Sequence, residues 1–477
     1  MIEITADCES GFLKIYPVIP EIIDELQFVY KHWDYTGGMA PSPDGKRRFF
    51  KKQKKLVLEI KQLFLDQDDG SVITHNGLGA RVMDALDRLE VPYRYSKIGD
   101  WVKPTLTSSV IHDLDHKQVD AVCNLLAQGE YGGAMVDFCT GTGKTRIIAA
   151  LIKAFKGARI VVATYNVSVV RRLHEGLPEF VSSEGIEVGI CHGGIKDIKN
   201  VTVCTFGTID YLSPETVDVL IVDECHTTTG DGVSNNLLKF VKAIRYGLSG
   251  TISDRFDGKE RILEATFGPI VSRFSDQEAE EAGRVCPLKV YFLSVPDGPM
   301  LDGCTSEYRI RHGIWRNKKR NQLVKDVVDK TPEDQQVLVF VTTLEHLNYL
   351  VKDFLPDFEV CHGQLSNKER LAIEERFNSG EAKRIISTDC LSTGVDPKQL
   401  MVMIDASTIK GEAAMVQKRG RVRRWAPGKT HGILVNFMDE WCDPLHAKAK
   451  KRFKEHENRG DQMFLGSKAE EIDFVKV

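Results

Sequence analysis

Three groups of residues in this 477-residue chain have the types and spacing to act on one phosphate ester. The first is Cys139-Thr140-Gly141-Thr142-Gly143-Lys144-Thr145, which follows the apolar run Ala134–Phe138 and precedes a helix-forming stretch. Glycines let a backbone come close to phosphates, and successive amide N–H groups at a helix start present positive potential to them. Lys144 would reach the outer phosphates and the Thr145 hydroxyl suits a magnesium ion. The Gly or Ala usual five residues before Gly143 is Phe138 here, and the loop alone says only "nucleotide", leaving kinases and many ATPases open. The second group is Asp223-Glu224-Cys225-His226, at the end of the apolar run Val217–Val222. Carboxylates at the carboxyl end of a parallel strand stand where open α/β sheets bind ligands. Asp223 would hold Mg²⁺ and Glu224 would orient or deprotonate an attacking water. A bare acidic dipeptide would suit a solvated turn, but one about 80 residues beyond a phosphate loop does not. The third is Gln417-Lys418-Arg419-Gly420-Arg421-Val422-Arg423-Arg424. Arg421 and Arg424 are one helical turn apart, and arginine suits planar, bidentate phosphate contact. By itself this run reads equally well as a solvated basic helix.

The elements that must position these residues follow from the apolar pattern. Ala134–Phe138, Arg159–Ala163, Val201–Thr205 and Val217–Val222 are near-continuous apolar runs of strand length, as parallel strands buried on both faces require. Their alternation with helical stretches such as Arg146–Lys156 gives βαβ units and a doubly wound α/β lobe over residues 110–285. The same texture returns over 288–445, in Val337–Val341, Arg384–Ser387, Met401–Asp405 and Gly432–Phe437. A different module precedes them over 1–105, with short strands, a helix around Pro20–Tyr30 and a Gly/Pro-rich turn at 36–45. A charged, helix-forming tail covers 446–477.

Composition limits what such a chain can be. It is 42% hydrophobic and 28% charged, ordinary for a folded domain of three parts. Its net charge of −4 excludes a uniformly basic nucleic-acid coat, so any polyanion site must be a local patch. The start lacks a basic-then-apolar leader, no apolar run reaches the roughly 18 residues of a membrane span, and the 11 cysteines include no CxxC. These features point to an intracellular, cytoplasmic protein with reduced thiols and no membrane partner.

Taken together, TGTGKT, DECH, Leu248-Ser249-Gly250-Thr251, the stretch from Ser387-Thr388-Asp389 to Gly394-Val395-Asp396, and QKRGRVRR resemble the ordered motifs of superfamily 2 helicases over about residues 110–440. SDRFDGKERILEATFGPIV at 253–271, GRVCPL at 283–288 and the small leading module are most similar to the UvsW-type branch-migrating DNA helicases of phages, with XPB-like and RecG-like proteins more distant. The resemblance implies two tandem RecA-like lobes behind an α+β module, with ATP and Mg²⁺ as cofactors. It implies that Gln118 reads adenine, that Thr140, Gly141, Thr142, Gly143, Lys144 and Thr145 cradle phosphates, and that Gly394 and Asp396 contact the nucleotide. Gln417, Arg421 and Arg424 join Lys144, Asp223 and Glu224 as catalytic residues. Thr164, Thr205 and Thr388 would grip a nucleic-acid backbone, while His226, Ser249 and Thr251 would couple hydrolysis to strand movement.

One further feature lies outside the motor. KRRFFKKQKK at 46–55 concentrates seven positive side chains around two phenylalanines, in a module whose 15 basic and 16 acidic residues nearly cancel. Charge interleaved with aromatics suits phosphate contact and base stacking, so Lys51, Lys52, Lys54 and Lys55 are candidate DNA ligands; a solvated hairpin is the alternative. A second basic run, Arg309 to Arg320, divides evenly between nucleic-acid contact and a charged helix face. The expected activity is ATP-dependent unwinding or branch migration of forked and junction DNA in replication, recombination or repair; the sequence leaves the oligomeric state open and is compatible with a monomer. The alternatives are an RNA or RNA–DNA hybrid helicase, a duplex translocase that does not unwind, and an ATP-gated DNA-binding switch.

Overall fold

The computed structural model describes residues 1–41, 47–252, 258–299, 306–388, 399–407 and 418–474, and for 31–41 and 47–56 the backbone alone. Its contacts divide the chain into two units, Met1–Phe138 with Gly143–Arg273, and Cys139–Thr142 with Phe274–Val477.

Within the first unit, a sheet of eight strands carries the phosphate loop and the acidic pair. Six parallel strands form its body, in the order Val188–His192, Val201–Thr205, Ile160–Thr164, Val219–Asp223, Ile244–Ser249, Gly133–Phe138. Strand Val219–Asp223 is buried at every position, as a strand covered by helices on both faces must be. Each strand therefore presents its carboxyl end to the same edge, where the loop at Cys139, Thr164, Thr205, Asp223 and Ser249 all fall.

The N-terminal module belongs to this same unit. Its mixed sheet has five strands, with Ile2–Asp7 pairing antiparallel to Phe12–Tyr16 and parallel to Tyr93–Ile98. It packs on helix Glu260–Phe267 so closely that a Cβ on Gly77 would stand 2.3 Å from the Glu264 carbonyl oxygen, so only glycine fits. Arg81 donates to Glu25 at 2.8 Å and to Glu264 at 2.7 Å across that junction. Helix Pro20–Glu25 is shorter than the sequence pattern suggests, because Gln27 opens a strand that runs to Pro41. That strand absorbs the front of the Gly/Pro-rich segment; the remainder, 42–45, lies outside the described residues. It pairs with Arg47–Gln62 in a separate two-stranded ribbon, about 50 Å long at roughly 3.4 Å per residue. Most of the basic run KRRFFKKQKK thus lies on one ribbon strand.

The second unit has a sheet of seven parallel strands, in the order Glu359–Cys361, Arg384–Ser387, Gln336–Phe340, Leu400–Asp405, Gly432–Asp439, Leu288–Val295, Gln462–Gly466. The charged tail is built into this sheet: helix Asp443–Asn458 buries Leu445, Ala449, Arg452 and His456, then delivers the edge strand Gln462–Gly466. The basic run around Arg311 also meets protein carboxylates. Arg311 and Arg316 share Glu345, Lys319 pairs with Asp297, and the fully buried Arg320 pairs with Asp439 at 3.0 Å.

Candidate active site

Gly141 and Gly143 sit at φ of 100° and 83°, a left-handed region that costs glycine little, and helix Lys144–Ala154 starts directly after them. The turn is locked from inside, since the buried Thr142 hydroxyl donates to the Cys139 carbonyl at 2.7 Å. The Lys144 amine donates to the Phe138 carbonyl at 3.1 Å and lies 3.7 Å from a Glu224 carboxylate oxygen. Loop lysine and acidic pair therefore share one pocket of the first unit. Gln118 lies behind the loop: its side-chain oxygen accepts from the Asp115 N–H in a capping box, and its nitrogen stands 2.4 Å from where a Cβ on Gly143 would be.

The acidic pair is electrostatically divided. Burial pushes the Asp223 carboxyl well above the ordinary range, and the neighbouring Glu224 charge adds to this. Burial also penalises Glu224, but the Lys144 ammonium and a hydrogen bond from His226 outweigh it and hold this carboxyl low. Arg172, on helix Val167–Val181, favours the charged form of both and was not flagged by any motif. Glu224 itself is held at φ 54°, a left-handed conformation rare outside glycine, which turns the chain sharply after the strand.

A chain of short contacts leads away from this pair. His226 Nδ1 is 2.8 Å from the Ser249 hydroxyl and 3.3 Å from Glu224, and Ser249 Oγ lies 3.4 Å from Thr251 Oγ1. The three residues assigned to coupling are thus physically continuous with Glu224. Thr164 and Thr205 are register partners on adjacent strands. Thr164 is wholly buried and its hydroxyl has no hydrogen-bond partner. Thr205 is buried too and bonds Thr208. Thr388 is half-buried, its N–H bonded to the Cys361 carbonyl. Gly394, Asp396 and Gln417 lie outside the described residues, as do the side chains of Lys51, Lys52, Lys54 and Lys55.

In the second unit the basic run divides by partner. Lys418 is buried against Asp405 at 2.8 Å and over the Phe340 ring; Arg419 bonds Asp276 and Asp461; Arg423 bonds Asp276 and Glu280. Among the described residues the helix runs over 418–422, and Arg424 follows it in a β-bridge to Val285 rather than on the same helical face as Arg421. Gly420 packs on the loop residue Thr140, where a Cβ would come within 2.5 Å of the threonine Cβ. A Cβ on Gly141 would meet the Arg424 guanidinium at 3.2 Å. The arginine segment and the tip of the phosphate loop are neighbours inside this unit.

The sequence matches two family models: the type III restriction enzyme res subunit over residues 111–254, and the helicase conserved C-terminal domain over 318–426. The two matches, in this order, support a superfamily 2 helicase. It shares 23% identity over 338 residues with the ATP-dependent DNA helicase uvsW of Enterobacteria phage T4, spanning 66% of this chain and 67% of that one. In two further helicases, one from a Sulfolobus virus and one from Danio rerio, the matched share of their own length falls to 60% and 30%. Among solved structures, a fragment of an HsdR subunit of a type I restriction enzyme from Vibrio vulnificus aligns at TM-score 0.57 and 15% identity, covering 93% of this chain and 95% of that one. S. cerevisiae Dbp5 bound to RNA and ADP BeF3 aligns at 0.55 and 13%, covering 76% and 93%. These likenesses show the fold, two RecA-like lobes. The helicase is an enzyme of the class that couples ATP to work on nucleic acid. Among the described residues no helix is long and apolar enough to cross a membrane.

Proposed function

We propose that this helicase uses ATP and Mg²⁺ to unwind or branch-migrate forked and junction DNA. The observation that carries the ATP reading is the loop lysine, Lys144, 3.7 Å from Glu224 in the first unit; in the second, Gly420 and Arg424 pack on Thr140 and Gly141. The residues fit the nucleotide and metal they would hold. The left-handed glycines open a cradle for phosphates, and Asp223 keeps one buried oxygen, Oδ1, without a hydrogen-bond partner. When bound, ATP supplies a transferable phosphoryl group and Mg²⁺ neutralises its charge. Lys144 would leave the Phe138 carbonyl for the outer phosphates, Glu224 would orient water, and Arg421 and Arg424 would stabilise charge as it develops. A finger of that kind is worth roughly 10³–10⁵ in rate.

Movement would follow from making and losing these contacts. Driving a two-state element from 1:99 to 99:1 takes about 5.5 kcal/mol, and charge-assisted bonds of roughly 1.5–3 kcal/mol each can supply it. Separating a base-pair step costs about 1.4 kcal/mol, within reach of one such cycle. DNA is favoured by the uvsW relative, and the long ribbon bearing the basic run offers a surface beyond the motor. The type III restriction and HsdR likenesses favour a second reading, translocation on duplex without unwinding. Hydrolysis measured on single-stranded, duplex, forked and four-way DNA, with RNA as comparison, tests the proposal. Forked or four-way DNA should stimulate most; strongest stimulation by RNA refutes the DNA reading. Duplex stimulation with triplex displacement but no fork opening establishes the second reading.

A further inference from the structure

The segment Phe274–Glu281 is bonded at one end to the phosphate loop and at the other to the arginine segment, all inside the second unit. The Cys139 N–H donates to the Phe274 carbonyl at 3.0 Å, and the Cys139 thiol donates to the Ser275 carbonyl at 3.6 Å. Ser275 then caps helix Asp276–Glu281 through a reciprocal box with Glu278, which fixes the direction of the next residue. That residue is Asp276. Its two carboxylate oxygens accept separately, Oδ2 from Arg419 Nη1 at 2.8 Å and Oδ1 from Arg423 Nη1 at 2.7 Å. Its carbonyl takes a further bond from Arg423 Nη2 at 3.2 Å.

Both arginines are almost fully buried, with side-chain exposures of 1% and 3%. They flank Gly420 and Arg421, and Gly420 lies on Thr140, the residue after Cys139. The contacts therefore close a ring: Cys139, the connector, Asp276, Arg419 with Arg423, Gly420, Thr140. A ring fixes the register of its members in a way that a single contact does not. One carboxylate held by two guanidiniums four residues apart sets both the height and the rotation of the turn that carries Arg421. The two arginines hold Asp276 through both carboxylate oxygens and its carbonyl, and they keep its carboxyl charged against the cost of burial.

We propose that Asp276 is a positioning residue for ATP hydrolysis, fixing the arginine-bearing turn to the same connector that holds the start of the phosphate loop. The inference rests on the ATP-site reading above. Arg419 keeps Asp461, and Arg423 keeps Glu280 and the Cys286 carbonyl, so Asp276→Asn leaves both arginines with partners. A displacement near 1 Å of a group acting in the transition state can cost about 10²-fold in rate. Asp276→Asn should therefore lower kcat about 10- to 100-fold with KM for ATP unchanged, since Lys144 and the loop amides hold the ground state. Asp276→Glu, which keeps the charge and moves it by one methylene, should recover part of the lost kcat, and it serves if the asparagine variant does not fold. Arg421→Ala is measured in parallel. Loss of hydrolysis in Arg421→Ala with wild-type kcat in Asp276→Asn, or in Asp276→Glu when that variant stands in for it, overturns the positioning role and leaves the ATP reading standing. Wild-type hydrolysis in Arg421→Ala overturns the ATP reading itself. A kcat and KM that change only in step with a lowered folded fraction also overturn the positioning role.

Discussion

Gly420→Ala sets two effects against each other, and the structure decides between them. Alanine in place of glycine within a helix is worth roughly 0.8–1.0 kcal/mol in its favour, and no left-handed φ at Gly420 opposes the change. Against this, the new methyl would stand 2.5 Å from Thr140 Cβ, 2.6 Å from its Cγ2 and 3.0 Å from its Oγ1. Carbon atoms at rest lie about 3.5–4.0 Å apart, so a displacement of about 1 Å is required. The arginine turn cannot supply it freely, because Arg419 binds Asp276 and Asp461 and Arg423 binds Asp276. Overpacking of this kind typically costs about 1–3 kcal/mol, which cancels or exceeds the propensity gain. Turnover should suffer more than stability, because the residue displaced, Thr140, directly precedes Gly141 in the phosphate loop; a fall of about 10²-fold in DNA-stimulated kcat is expected. Steady-state ATPase assays alongside thermal unfolding check both numbers. A variant that gains stability and keeps its turnover, as helix propensity alone dictates, refutes the proximity of this turn to the loop.

Three further perturbations test other parts of the argument. Asp405→Asn removes the charge opposite the buried Lys418, which also donates to Ser407 Oγ at 3.3 Å, and breaking a buried pair costs about 3–5 kcal/mol; a calorimetric Tm within 2 °C of wild type would contradict this. Asp223→Asn should stabilise the metal-free protein at pH 8, where the wild-type carboxylate is charged, buried and short of a partner. The sign follows from the raised folded-state pKa: the wild-type group takes up its proton as pH falls through that value, so the advantage of asparagine shrinks toward pH 4 and is visible in urea melts as a converging pair of curves. A constant difference across pH argues against a buried charge at this position. Neutralising Lys51, Lys52, Lys54 and Lys55 together should reduce the slope of log K against log salt for duplex DNA by about 3–4, at roughly 0.9 per phosphate contact; an unchanged slope returns the ribbon to a solvated surface.

How far the sequence reaches depends on how local the physics is. Strands buried on both faces announce themselves by continuous β-branched runs, so Val201–Thr205 and Arg384–Ser387 coincide with the expected ranges. The loop and the acidic pair are legible because each is one segment whose chemistry needs neighbours in sequence. The ribbon was not legible beyond its basic half: Gly37, Gly38 and Pro41 argue for a turn, yet their backbone pairs with Lys51, Phe50 and Arg47 across the ribbon. Pairing across a hairpin is set by the partner strand, and a register shift beside Gly37 accommodates the break in pattern. The mixed charges of the tail suit a surface helix, yet Leu445, Ala449 and the buried Arg452 show that a few inward positions suffice to dock it.

The basic run Lys418–Arg424 marks where local reading stops. Five cations within seven residues invite one role, phosphate contact, and spacing alone selects Arg421 and Arg424 as a pair. Three of the five are instead bound by carboxylates from distant parts of the chain, Asp405, Asp276 and Asp461. Desolvation sorts them. A guanidinium with almost no exposure needs a permanent anion, whereas one meant for a nucleotide phosphate must keep its place while the phosphate comes and goes. The anchoring arginines meet the first condition and so make the second attainable for their neighbour. Arginine identity in such a run reports the demand for planar, multidentate bonding, and only the distant carboxylates decide which members are anchored to them.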